Sequence, residues 1–207
     1  MLEISSPYGF EIYDLANKLD ETGEIGEIYQ GGVQTWYRTE WQRRAGCGPT
    51  TAANLFAHIS NPIPISPRKE QFLLLMEKVW GYITPTQRGV NTTALFLSGA
   101  MRYAHDHNLF IAPRLLNIPE EIDKRPGIQV VSAFLEDALA ADLPIAFLNL
   151  CNGQVTNLDR WHWVTLVALK PLPLYATMCD QGKKTEIDLA LWLKTSTLGG
   201  GFVVLSL

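Results

Sequence analysis

The sequence predicts an α+β fold in which N-terminal helices pack on a C-terminal antiparallel β-sheet. Two observations predict it. Apolar residues recur at helical spacing in several segments up to residue 142, whereas short runs rich in β-branched and aromatic residues follow from residue 144 onward. Helices first and strands afterwards gives a segregated fold; an alternating order would have given a parallel sheet.

Taken in order, residues 24–41 mix β-branched and aromatic side chains around Gly31-Gly32, the pattern of a short hairpin or extended arm. In 47–60, Ala52, Leu55, Phe56 and Ile59 fall at i, i+3, i+4, i+7, so a helix is expected. Residues 66–80 open on Ser66-Pro67, a cap and a first-turn proline, and carry Phe72, Leu75, Met76 and Val79 on one stripe. Further helices are expected over 91–107, capped by Asn91 or Thr92, and over 128–142. The strands are 144–150, 161–169, 174–180 and 201–207, separated by Gly, Pro, Asn and Asp. The proline-rich 61–67 reads as a connector inside one domain spanning 1–207.

Composition narrows the function. The 207 residues carry 17 Lys+Arg against 21 Asp+Glu, a formal net charge of −4, and 47% of them are hydrophobic. A mildly acidic chain without a basic block gives no electrostatic case for nucleic acid or for an anionic membrane. No apolar stretch is long enough to span a bilayer, and the opening residues lack the basic start and apolar run of a secretory signal. A cytoplasmic setting is expected. Oligomeric state is not legible. Cys47, Cys151 and Cys179 are odd in number and widely spaced, with no CxxC, so neither a disulfide framework nor a thiolate zinc site is written here. A free cysteine is ordinarily a small buried hydrophobe. Cys151 and Cys179 are read that way, as strand residues.

Cys47 differs. It lies between Gly46 and Gly48 and precedes Pro49, which suits a first helical turn. A sulfur at a helix start meets unpaired N–H groups and the positive end of the macrodipole, which favour thiolate. The flanking glycines are expected to leave room for a substrate.

A thiolate nucleophile needs a base, and the chain has four histidines. His58 is about 16 Å along the same helix from Cys47 at 1.5 Å per residue. His105 and His107 flank Asp106 at a polar helix end, a weak metal signal without a third ligand. His162 opens a strand between Trp161 and Trp163, on the face of Val164, Leu166 and Ala168. The prolines at 171 and 173 force a turn between strands 161–169 and 174–180. A turn centred on Pro171 places His162 opposite Asp180. A turn centred half a residue later puts Gln181 opposite, unless a bulge restores Asp180 to the His162 face. A carboxylate there would fix the imidazole tautomer. For an oxyanion, the Cys47 N–H is one donor and Gln42 the nearby side-chain amide; Arg43 and Arg44 read as surface charges.

This ordered set, a Gln shortly before CGPT, a late HWV strand and an acid ending the next strand, resembles the papain-like cysteine peptidases. CGPTTAANL and HWVTLVAL look most like the family that includes the bacteriocin leader peptidases, which cut after a double glycine. The resemblance implies a papain-like fold and a thiol hydrolase of peptide or amide bonds. Cys47 would be nucleophile, His162 base, Asp180 orienting acid and Gln42 oxyanion donor, with no cofactor or metal and a peptide or small amide as substrate. Two other functions use the same shell: acyl transfer to an amine or thiol, and an inactive binding domain, suggested by a glutamine five rather than six residues before the cysteine. Trp41 or Trp161 is expected to line the groove.

Overall fold

The computed structural model describes residues 3–5, 11–14, 27–60 and 67–207. It is α+β with an antiparallel sheet. The elements are β1 (Ile4–Ser5), β2 (Glu11–Tyr13), β3 (Ile28–Gln30), α1 (Glu40–Ala45), α2 (Cys47–Ser60), α3 (Lys69–Trp80), α4 (Thr93–Asp106), β4 (Ala112–Ile118), α5 (Ile128–Ala140), β5 (Ile145–Asn149), β6 (His162–Pro171), β7 (Leu174–Asp180), β8 (Lys183–Asp188), α6 (Leu189–Thr195) and β9 (Gly200–Ser206). The main sheet runs β4-β9-β5-β6-β7-β8, with β1 paired to β6, while β2 and β3 form a separate ribbon.

Helices cover both faces of the main sheet. On one, α2, α3 and α4 bury Leu55, Phe56, Phe72, Met76 and Phe96 against Ala146, Leu148, Trp163 and Val203. On the other, α5 and α6 bury Val131, Leu135 and Trp192 against Phe147, Val164 and Phe202. Alternate residues of β5 and β6 thus feed separate cores, as period-2 geometry requires, and β5 is buried at every position.

The expected order of helices before strands needs correcting at four places. β1 enters the sheet from the N-terminus, β4 precedes α5, and β8 and α6 intervene before β9. Within the expected arm, Ile28–Gln30 pairs with β2, and 24–26 lie outside the described residues. The expected Ser66 cap and most of the 61–67 connector also lie outside them; α3 begins at Lys69, and Pro67 O accepts from Tyr13 N–H at 3.0 Å. Thr92 caps α4, its hydroxyl accepting from Leu95 N–H at 3.0 Å. No helix among the described residues is long and apolar enough to cross a membrane.

Candidate functional site

Cys47 is the first residue of α2, separated from α1 by Gly46 alone. Thr50 N–H donates to Gly46 O at 2.9 Å, which starts the new helix and leaves the N–H groups of Cys47 and Gly48 at its open end. The glycines do not clear space for a substrate, as the sequence suggested; they permit packing. A Cβ on Gly46 would lie 2.5 Å from Gln42 O and 2.6 Å from the Tyr37 ring, and one on Gly48 would lie 2.9 Å from Val90. Because Gly46 meets backbone as well as a buried ring, Gly46→Ala is expected to lower the unfolding free energy by about 1–3 kcal/mol, checked by urea denaturation.

The β6–β7 hairpin sets the histidine and the acid. Pro171 pairs with Leu174 and Ala168 with Thr177, but from Leu166 onward the register shifts by one, to Leu166↔Met178 and Thr165↔Cys179. The turn is therefore not centred on Pro171, and His162 is not directly opposite Asp180. The bulge near Val167 does what the alternative register required. Continued by one residue, the shifted pairing puts Asp180 across from Val164, two residues along from His162 and on its face; without the bulge it would have faced Thr165. The Asp180 carboxylate then lies 2.9 Å from His162 Nε2.

With Nε2 on Asp180, Nδ1 is the ring nitrogen left for the Cys47 thiol, which is within hydrogen-bonding reach. His162 is 8% exposed. Burial alone would push its pKa down, but the hydrogen bonds to Asp180 and Cys47 and the charges on both outweigh it, and the ring is raised from 6.5 to about 10.

Gln42 is not among the residues that line the cavities at Cys47. Its Oε1 accepts from Thr39 N–H at 3.2 Å and from the Thr39 hydroxyl at 3.0 Å, and its Nε2 donates to Glu77 Oε2 at 3.2 Å. Thr39 and Gln42 form the capping box of α1, so the amide is committed to that helix start. The Thr39-x-x-Gln42 spacing was the available signal. Among the side-chain amides that do line the cleft with Cys47 and His162, beside Gln181, Asn54 and Asn152, is Gln34, on a single 3₁₀ turn at Gln34–Trp36. Its Nε2 donates to Arg43 O at 2.7 Å, and its Oε1 is buried without a partner. Behind it, buried Asn54 of α2 accepts from Gly32 N–H at 2.9 Å and donates to the Thr165 hydroxyl at 2.8 Å, tying the strand leading to Gln34 and β6 to the cysteine helix. No spacing pattern announces either residue, because both act through contacts distant in sequence.

Two cavities meet at Cys47. One, of about 590 Å³, is walled by Trp41, Trp161, Val90 and Leu148; the other, of about 560 Å³, is lined by His162, Gln34, Asn152 and Asp159. Trp41 and Trp161 are about half exposed, and where one or the other was expected to line the groove, both line this cavity. Trp161 has φ 54°, a left-handed conformation that a bulky residue adopts only under constraint.

The other thiols part company. Cys179 is pushed up to about 12 by burial. Cys151 lies in the loop after β5, not in a strand. Burial would raise it, but the Thr197 hydroxyl at 3.2 Å from Sγ, neighbouring N–H groups and Arg160 bring it down to about 7. The other histidines have partners away from Cys47: His58 bonds the Asp142 carbonyl, while His105 and His107 take the local Asp106 carboxylate and Tyr103 O. Asp159, His162 and Asp180 have ligand atoms within 4.8 Å of one another, a possible metal set. A cation there would compete with the imidazole proton for Nε2.

No family model matches the chain, and no curated protein matches it in sequence.

Proposed function

We propose that the protein is a thiol-dependent hydrolase of a peptide or amide bond, built on a papain-like fold with Cys47 as nucleophile. The observation that carries this reading is the convergence of three elements: a cysteine opening a buried helix, a histidine opening β6, and an acid closing β7 at 2.9 Å from the histidine. The imidazole carries its charge through neutral pH beside the thiol, the state in which it stabilises a thiolate and holds a proton for a leaving group.

The chemistry follows from these positions. The Cys47 thiolate adds to the carbonyl carbon, and the carbonyl electrons move to oxygen. The Cys47 N–H and an N–H of Gln34 are the donors for that oxyanion, with Gln34 replacing Gln42 in the role. The C–N bond then breaks as His162 gives its proton to the amine nitrogen. Water enters, loses a proton to His162 and attacks the thioester, releasing the acid and restoring thiolate and imidazolium. Asp180 holds the ring with Nδ1 toward sulfur throughout.

The test is turnover of a mixed peptide and amide library in ¹⁸O water, read by mass spectrometry. Hydrolysis puts one ¹⁸O into each new carboxylate and leaves added amine acceptors unmodified. Acyl-acceptor conjugates without labelled acid would establish transferase chemistry, and no turnover under any condition would overturn the hydrolase reading.

A further inference from the structure

The two cavities that meet at Cys47 differ in chemistry, and the difference assigns the two halves of the substrate. His162 must hand its proton to the leaving amine, so the leaving group has to enter on the histidine's side. His162 lines the polar cavity and is not among the residues lining the aromatic one; Cys47, Arg44 and Trp161 stand at the border and line both, while Trp41 and Arg88 line the aromatic cavity and not the polar one. The acyl half of the substrate therefore belongs in the aromatic cavity. Its walls are tryptophan and aliphatic, and at about 590 Å³ it has the size of a small-ligand pocket. Its charged lining residues are Arg44 and Arg88, with no carboxylate among them. Neither arginine has an ion-pair partner among the described residues, and both are exposed at the cavity rim. Arg88 is carried on an ordered turn, in which Thr86 and Gly89 exchange backbone bonds at 3.2 and 2.9 Å and the Thr86 hydroxyl accepts from Arg88 N–H at 3.1 Å. A guanidinium at the mouth of an apolar cavity offers a planar donor fork to a carboxylate, and a tryptophan wall offers area to a large apolar group.

We propose that the substrate's acyl side is a bulky apolar group bearing a negative charge, held between Trp41 and Trp161 with its anion on Arg44 and Arg88. This rests on the hydrolase reading, and deepens it by naming a substrate class.

The experiment uses the full chain and four electrophiles: chloromethyl ketones of N-succinyl-phenylalanine, N-acetyl-phenylalanine and N-acetyl-lysine, and iodoacetamide, which has no acyl group. Second-order rates of Cys47 modification are read by peptide-mapped mass spectrometry. The succinyl-phenylalanyl reagent is expected to react at least tenfold faster than acetyl-phenylalanyl, and the acetyl-lysyl reagent slowest of the three. The succinyl advantage should shrink as salt is raised. Arg44→Glu and Arg88→Glu should each reduce the succinyl-to-acetyl ratio toward one, while Arg→Lys at the same positions keeps most of it; the ratio cancels any general change in thiol reactivity. Equal rates for the three ketones, or a lysyl preference, with iodoacetamide still modifying Cys47, overturns the substrate class and leaves the nucleophile in place. Failure of every reagent to modify Cys47 overturns both.

Discussion

Cys47→Ala is expected to abolish turnover of any peptide or amide substrate and to remove the site of rapid alkylation at mildly acidic pH. The reasoning is chemical. Without sulfur there is no acyl-enzyme, and the remaining donors orient and polarise a carbonyl but cannot attack it; loss of a nucleophile of this kind costs about 10⁴-fold or more in kcat. The mutant should stay folded, since a methyl group replaces a small thiol at a helix start. Cys151 has a thiol brought down to about 7, so total labelling near neutral pH does not isolate Cys47. Labelling below pH 6 with peptide mapping does. Equal modification of wild type and Cys47→Ala there would remove Cys47 from the chemistry.

Asp180→Asn is the second large effect, and it separates orientation from presence. The carboxylate accepts from His162 Nε2 at 2.9 Å and so leaves Nδ1 for sulfur. An amide of the same shape keeps the hairpin but no longer favours the imidazolium, and a fall in kcat of about 10²–10⁴-fold is expected. The pH dependence should move with it. His162 stands at about 10 against an ordinary 6.5, with Asp180 the largest of the raising influences. A histidine raised in the folded state contributes stability that is complete below about 6.5 and is lost as pH rises toward about 10. In wild type the unfolding free energy should therefore decline across that interval by an amount on the order of a few kcal/mol. In Asp180→Asn the decline should be smaller and end at lower pH. A merely structural Asp180 would lower stability without moving the pH at which the decline ends.

What could be read in advance, and what could not, follows from where the residues sit. The helix beginning at Cys47 was legible because its apolar spacing and Pro49 are local signals. The central strands β5, β6, β7 and β9 were legible because they are buried on one or both faces and so rich in apolar residues. β4 and β8 were not: they are the two edges of the main sheet, and sequences such as Lys183–Asp188 carry only one buried residue, Ile187. α6 has seven residues, too few to display a period. The pairing of His162 with Asp180 was half legible. The strand register needed either a turn centred on Pro171 or a bulge, and a bulge near Val167 is present, but the turn lies elsewhere and the two residues are diagonal rather than opposed. Gln42 was placed in the site by its proximity in sequence to Cys47, while its capping box with Thr39 pointed to a different duty. Gln34 reaches the cleft because Asn54 and Arg43 O hold its segment there, contacts that no single stretch of sequence contains.

The central claim is that a charged His162 faces the Cys47 thiol with Asp180 behind it. Imidazole resonances followed by NMR across pH 5–11 test it most directly, with the His162 signals assigned by their absence from His162→Asn. In wild type the His162 ring should remain protonated at pH 8 and titrate near about 10, and Cys47→Ala should lower that midpoint by removing one of its two hydrogen-bond partners. A His162 ring that is neutral by pH 7.5 in wild type, with a midpoint unchanged in Cys47→Ala, would contradict the account.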